Sequence, residues 1–291
     1  MRSVPSVKIR RCPLAKLLEG KLIADQIKSI IKSKVLSSPK RLKLSSIQVG
    51  VNPSSDVYIK SQKKNAELLG IEYDAHTLEK ETSEEKLVEY IRKLNNDASV
   101  SGIIIQMPLP LHMDYKKISQ YIAPEKDVEG MHPANMGRIV FGKAKVLPCT
   151  AAAVMELLNS IGLHYSGKEV VIVGHSEIVG KPLALALLDK LATVTVCHIG
   201  TSQAGKLEEH VRRADILIVA VGKAGLIKGD WVKEKAVVID VGINRVGDKI
   251  VGDVEFDAAE KRAGWITPVP GGVGPLTVTM LMRNLVESAG L

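Results

Sequence analysis

The chain has 291 residues, 45% of them hydrophobic, and a formal net charge of +8 from 40 basic and 32 acidic side chains. That length supports one large or two ordinary globular units with a buried core, and no apolar run reaches the length of a bilayer span, so no membrane partner is expected. Aromatic residues make up only 3%, which argues against nucleic-acid binding by base stacking, while the basic balance suits an anionic ligand.

Arg2, Lys8, Arg10, Arg11 and Lys16 all precede the first acid, Glu19. A plain cytoplasmic N-terminus is expected, with a short organellar transit signal as the alternative. Cys12, Cys149 and Cys197 are far apart and show no C-x-x-C spacing. Neither a disulfide framework nor a metal site is therefore expected.

Leu17 to Val35 carries helical periodicity, and Leu44 to Val49 reads as a strand. Ser54 and Ser55 are candidate caps for a helix running to Leu69, which Gly70 ends. Ile71–Leu78 reads as a strand, Glu84–Asn95 as a helix and Gly102–Gln106 as a third strand. This βαβαβ rhythm predicts a parallel sheet with helices on its faces.

A helix over Thr150–Leu163 opens a second alternation. Its strands are Glu169–Val173, Thr193–His198, Ile216–Val221 and Val237–Val241, with helices over Lys181–Leu191 and Leu207–Ala214 between them. Val and Ile dominate these strands, as in parallel sheets covered on both faces. The fold class is thus α/β in two α/β domains, one over 1–149 and a Rossmann-like one over 150–275. The last helix, from Leu276 to Ser288, is free to pack on either.

The strand ending at Val173 is followed by Gly174-His175-Ser176-Glu177-Ile178-Val179-Gly180-Lys181-Pro182. A strand, a glycine turn and a helix start make an anion site, because backbone N–H groups and the helix dipole face the ligand. The pattern departs from G-x-G-x-x-G: Ser176 takes the second glycine's place and Gly180 comes one residue late. No acid lies between Thr193 and Ile199 to bind a ribose 2′-hydroxyl. NADP is favoured slightly over NAD, with His175 and Thr201 or Ser202 as candidates to meet a 2′-phosphate. His198 reads as a structural or cofactor-edge residue, Asp240 as a strand-end cap or a prop for the following Gly242-Ile243-Asn244, and Asp253 as a loop carboxylate of no assigned role.

Six of the eight residues Pro268-Val269-Pro270-Gly271-Gly272-Val273-Gly274-Pro275 are Pro or Gly. Such a segment can be neither helix nor central strand. It reads as a loop shaped around a ligand, or as a rigid surface turn, with Thr277 opening the helix beyond it.

These two loops, taken with Tyr58-Ile59-Lys60-Ser61-Gln62, Gln106-Met107-Pro108-Leu109-Pro110, Lys126-Asp127-Val128-Glu129-Gly130 and Pro148-Cys149-Thr150, resemble the methylenetetrahydrofolate dehydrogenase/cyclohydrolase family in order and spacing. The resemblance implies a folate substrate in the N-terminal side of a cleft, NAD(P) in the C-terminal side and a homodimer formed through the cofactor domains. It also implies catalytic roles for Tyr58, Gln62 and Gln106. The tetrahydrofolate derivative would be bound by Tyr58, Pro108, Asp127, Glu129, Pro270, Gly271 and Gly272. Thr150, Gly174, His175, Ser176, Ile178, Val179, Gly180, Ile243 and Thr277 are placed on the cofactor side.

Two positions depart from the family pattern. Gln62 stands where the family motif Tyr-x-x-x-Lys has lysine, and Glu129 stands where it has the pterin-binding aspartate. Hydride loss from 5,10-methylenetetrahydrofolate needs mainly positioning, whereas hydrolysis of the methenyl product needs a titratable group. Gln62 cannot titrate. Lys63 and Lys60 lie roughly 100° and 160° around the helix from it. The expectation is a dehydrogenase with weak or absent cyclohydrolase activity. The alternatives are the full bifunctional enzyme and a non-catalytic folate- or nucleotide-binding protein.

Overall fold

Residues 14–291 are described by this structure, a computed structural model. Cys12 and the basic residues from Arg2 to Arg11 lie outside them, and so does the reading of the N-terminus. Strand β1 (Lys16–Leu17) leads into α1 (Gly20–Ser37), then β2 (Lys43–Val49), α2 (Pro53–Leu69), β3 (Glu72–Leu78), α3 (Glu84–Asn96) and β4 (Gly102–Ile105). Helices α4 (Tyr115–Ile118) and α5 (Pro133–Val140) close the first half, and α6 (Cys149–Ser160) opens the second. There follow β5 (Glu169–Val173), α7 (Gly180–Leu188), β6 (Thr193–Cys197), α8 (Ile199–Gln203), α9 (Leu207–Arg213), β7 (Ile216–Val219) and β8 (Val237–Asp240). The hairpin β9 (Asn244–Val246) and β10 (Lys249–Val251), α10 (Phe256–Ala259), β11 (Trp265–Ile266) and α11 (Gly274–Ser288) complete the chain.

The first half carries a three-stranded parallel sheet in the order β3-β2-β4, the second a six-stranded sheet in the order β1-β11-β8-β7-β5-β6. Every pairing within the larger sheet is parallel. Val170 and Ile172 of β5 pack into one core cluster while Val171 and Val173 pack into another. Alternate side chains of a strand point to opposite faces, and here both faces are covered. That is why these strands are nearly all Val and Ile. β5 has β6 on one side and β7 on the other, so the chain reverses direction across the sheet there. The crevice at the carboxyl ends of strands at such a reversal is where α/β sheets bind ligands.

Three features differ from the sequence reading. Lys16 and Leu17 pair with Trp265 and Ile266, so the first helix begins at Gly20. This edge strand is too short to show a period, and it belongs to the far sheet; a cut at residue 150 does not separate the two sheets. The β9–β10 hairpin, with strands of three residues each, is likewise too short to show a period. Ser55 does not cap α2: it lies inside the helix and its Oγ donates to Met107 O at 2.8 Å. Helix α11 packs along α1 and α6 and also meets α2, while Asn284 donates to Val128 O and Leu147 O, both at 2.9 Å. The last helix thus fastens both halves. No helix among the described residues is long and apolar enough to cross a membrane.

Candidate active site

Helix α2 sets Tyr58 and Gln62 one turn apart on the same face. Gln62 is fully buried, and its Oε1 accepts the Tyr73 hydroxyl at 2.8 Å and Gln106 Nε2 at 2.8 Å. Gln106 Nε2 also donates to Ser46 Oγ at 2.9 Å. Ser46 and Tyr73 face each other's strands in the β2–β3 pair, and Gln106 follows β4 directly, so one parallel sheet delivers three polar side chains to one helix face. Tyr58 lies beside Gln62, and burial above all pushes its hydroxyl pKa up. Burial likewise pushes Tyr73 up to about 12. Both phenols are neutral donors at ordinary pH. Lys60 lines a shallow cavity with Ser46, Asp56 and His76, and Lys60, Lys63 and Lys64 are all exposed. The structure thus joins Tyr58, Gln62 and Gln106 as expected and adds Ser46 and Tyr73. Neither was legible beforehand, because a Tyr or Ser in a strand reads as packing.

Glu129 lies near this cluster and accepts the Tyr115 hydroxyl at 3.2 Å. Burial first, and then the Asp127 charge, push its pKa up from 4.5 to about 8. Cys149 is pushed up as well by burial and by the Glu129 and Asp127 charges. Asp127, which the resemblance placed with the substrate, is engaged by its own segment of chain. It is buried, and its oxygens accept Gly130 N, His132 N and Asn135 Nδ2 at 3.0, 2.7 and 2.9 Å. A carboxylate so engaged holds its own turn together and aims Glu129, with little capacity left for a ligand.

The proline-rich loops flank this cluster. Pro108 is exposed after a cis Met107–Pro108 bond, and Pro270 is exposed after a cis Val269–Pro270 bond. Gly271 has φ +112°, a backbone region closed to most side chains. Its carbonyl accepts Gly20 N at 2.9 Å, pinning the loop to the start of α1, and Gly272 is buried under it. A cavity of about 390 Å³ runs along Pro268–Pro275, Asp240 and Ile243.

On the other side, Gly174 follows β5 with φ +123°, and a Cβ there would collide with the Ala220 carbonyl. A cavity of about 360 Å³ opens beyond it, lined by Gly174, His175, Ser176, His198, Ser202 and Lys223 among others. No acidic side chain lines it. The His175 and His198 rings stand 5.3 Å apart. This cradle of bare backbone and basic side chains at the sheet's reversal point fits the phosphates of a dinucleotide. Ser202 lines the cavity, whereas Thr201 Oγ1 accepts the His198 N–H at 3.2 Å and is not among the lining residues. Ser176 Oγ accepts Val179 N at 3.2 Å, and Val179 turns its side chain into the core, which leaves it a backbone role at most. Ile178 and Ile243 are exposed, Thr150 is half-buried, and Thr277 bonds back to Val273 O within α11 at 3.5 Å. Gly180 is buried against the Gly174 carbonyl.

Asp253, to which the sequence assigned nothing, accepts Val221 N, Gly222 N and Lys223 N at 2.8, 3.0 and 2.8 Å and Asn244 Nδ2 at 2.8 Å. It therefore shapes the cavity wall formed by Val221 and Lys223. Asp240 accepts Gly242 N, Asp253 N and Val254 N, the strand-end cap foreseen for it, and burial raises its pKa to about 6. The two sides meet at Lys116, beside Tyr115, whose Nζ lies 3.3 Å from Glu177 Oε1 in the glycine turn.

Residues 18–129 match the family description "Tetrahydrofolate dehydrogenase/cyclohydrolase, catalytic domain", and residues 148–291 match "Tetrahydrofolate dehydrogenase/cyclohydrolase, NAD(P)-binding domain". The bifunctional protein FolD of Acetivibrio thermocellus is 50% identical over 281 residues, covering 95% of this chain and 98% of that protein. The crystal structure of the bifunctional enzyme FolD from Campylobacter jejuni superposes with a TM-score of 0.91 at 44% identity, covering 95% of this chain and 99% of that one. The Trypanosoma brucei methylenetetrahydrofolate dehydrogenase-cyclohydrolase, solved with NADP cofactor and inhibitor, gives 0.90 at 37% identity, covering 96% and 98%. With both halves matched in order over nearly the whole length, the chain belongs to the tetrahydrofolate dehydrogenase/cyclohydrolase family.

Proposed function

We propose that this protein oxidises 5,10-methylenetetrahydrofolate to the 5,10-methenyl form with NADP or NAD and then hydrolyses that product to 10-formyltetrahydrofolate. The convergence of Tyr58, Gln62 and Gln106 beside a dinucleotide-shaped crevice carries the first activity. The names of relatives at this identity favour the second over a dehydrogenase alone.

Bound NAD(P) supplies the hydride acceptor. The chain's part in that step is geometry: the Gly174–Gly180 turn seats phosphates on its N–H groups, Tyr58 offers a face for the aminobenzoate ring, and the Pro268–Pro275 loop walls the cleft. Hydride departs as a substrate nitrogen lone pair fills the vacated orbital, so no protein base is needed. Glu129 stands where the pterin would be held. Its extra methylene relative to aspartate moves the carboxyl, and Tyr115 steadies it.

A second reading is favoured by one observation. Gln62 occupies the lysine position and is fully buried, whereas the neighbouring Lys60, Lys63 and Lys64 are exposed and none is hydrogen-bonded to it. On that reading hydrolysis is slow or absent, since loss of a general acid–base group costs about 10²–10⁴ in rate. Two assays on purified protein decide. NAD(P)H formation from methylenetetrahydrofolate tests the dehydrogenase, and its absence sinks the whole proposal in favour of a binding protein. Decay of methenyltetrahydrofolate above the spontaneous rate supports the two-activity enzyme; no acceleration leaves the dehydrogenase alone.

His175, His198, Ser202 and Lys223, with no acid among them, support NADP as the preferred cofactor, and the ratio of kcat/KM for the two nucleotides measures it. The domain division near residue 149 and a cytoplasmic location belong to the same reading. A homodimer does too. Val140, Phe141, Leu188 and Leu191 are exposed apolar residues at or just past the ends of the adjoining α5 and α7, near the open edge strand β6, and such patches mark association surfaces.

A further inference from the structure

A further cavity, of about 260 Å³, shares no lining residue with the nucleotide crevice or with the cavity along Pro268–Pro275. Arg138 of α5, Lys143 and Lys145 of the segment after it, and Ser288 at the end of α11 line it, together with Asn135 and Glu125. Asn135 is the fixed point. It is only 3% exposed, and its Nδ2 donates to Pro124 O and Asp127 Oδ2, both at 2.9 Å. Both partners only accept, so the amide cannot turn over, and its Oδ1 is left to accept Arg138 Nη1 at 2.7 Å. The same Asp127 accepts Gly130 N and His132 N. The guanidinium is therefore oriented from the segment that bears Glu129.

The three cations here are unspent. Among the described residues none of them lies within 4.0 Å of a carboxylate, Glu125 included. Elsewhere Lys116, Lys181, Lys228 and Lys233 pair with acids, and Lys126 donates to the carbonyls of Leu94, Asn95 and Asp97. Neither Lys143 nor Lys145 makes a contact of either kind. The negative end of α5 accounts for Arg138, in its last turn, but that field fades within a turn and does not account for Lys145 beyond the helix. Like charges gathered around one concavity concentrate an anion there.

We infer that this cavity binds a phosphate group, free or as an ester, at a site separate from the nucleotide crevice. A phosphate presents three acceptor oxygens. The Arg138 fork, already aimed by Asn135, suits two of them, and each lysine adds a point charge. The site does not depend on the activity proposed above.

Titration calorimetry of inorganic phosphate into the full chain tests it, at constant ionic strength and with excess NAD to occupy the crevice. Wild type is expected to bind saturably. Arg138→Ala and Lys145→Ala should each weaken binding about tenfold or more, with thermal melting in the absence of phosphate as a check on folding. Lys145 is exposed and makes no contact in the fold, so its removal reads binding alone. No saturable binding by wild type, or equal affinity in wild type and both variants, overturns the inference. Ribose 5-phosphate, titrated alongside, separates the two sources: tighter binding than phosphate supports an esterified ligand, and weaker binding supports the free ion. Malonate binding as tightly as phosphate overturns the assignment to phosphate.

Discussion

Residue 62 carries the sharpest chemical question in the pocket. An amide there can orient and donate, but only an amine can exchange a proton. A lysine at this buried position would have its pKa lowered by desolvation toward the range useful for moving protons at neutral pH. Gln62→Lys is therefore expected to speed methenyltetrahydrofolate hydrolysis by about tenfold or more, read as decay of the methenyl chromophore. An unchanged rate would show that water is activated without this position. Glu129 poses a question of charge. Its pKa stands near 8 in the folded protein against 4.5 ordinarily, so the native state keeps a proton that the unfolded chain releases between those values. The stability this brings is complete below the lower value and is lost as pH rises through the upper one. The slope is at most about 1.4 kcal/mol per pH unit for one proton. Glu129→Gln should flatten that dependence and raise the melting temperature most above pH 8. Urea unfolding across pH 5 to 9 measures it, and equal slopes for the two proteins would sink the assignment.

At the scale of elements, the glycine turn after β5 does what no single side chain can. The strand delivers the chain to the sheet's reversal point, Gly174 turns it at φ +123°, and the turn leads into α7, whose dipole faces the crevice with its positive end. A Cβ at Gly174 meets the backbone of Ala220 rather than a yielding side chain, so the turn has to move. Gly174→Ala is expected to raise the KM for NAD(P) about tenfold or more, since strain of this kind costs roughly 1–3 kcal/mol, while the folate KM changes little. Nucleotide titration calorimetry checks it; unchanged affinity would mean that the turn does not seat the phosphates. The strands and helices around this turn were readable in advance because their Val/Ile runs and glycine stops are local signals. β1, β9 and β10 were not. Strands of two or three residues exist only through the neighbours they pair with, and the sequence carries no period for them.

For the molecule as a whole, α11 and β1 make the two halves one body: α11 lies on helices of both, and β1 leaves the first half to edge the second half's sheet. The apolar patch of Val140, Phe141, Leu188 and Leu191 then remains to be covered. Phe141→Asp places a charge in its centre and is expected to convert a dimer to monomer, seen as a halved mass in light scattering; a wild type already monomeric at micromolar concentration would refute the dimer. The sequence by itself determined the α/β class, the order of the two units, the nucleotide turn and the pairing of Tyr58 with Gln62 on one helical face. Each of these is written in local periodicity, in Gly and Pro, or in motif spacing. Only the tertiary structure decided that Asp127 holds its own turn, that Thr201 accepts the His198 N–H, that Asp253 ties down the backbone of residues 221–223, and that Tyr73 and Ser46 join the hydrogen bonds around Gln62 and Gln106. Hydrogen bonds between residues far apart in the chain leave no local pattern, because the partner of a polar side chain is chosen by packing and not by its neighbours in sequence.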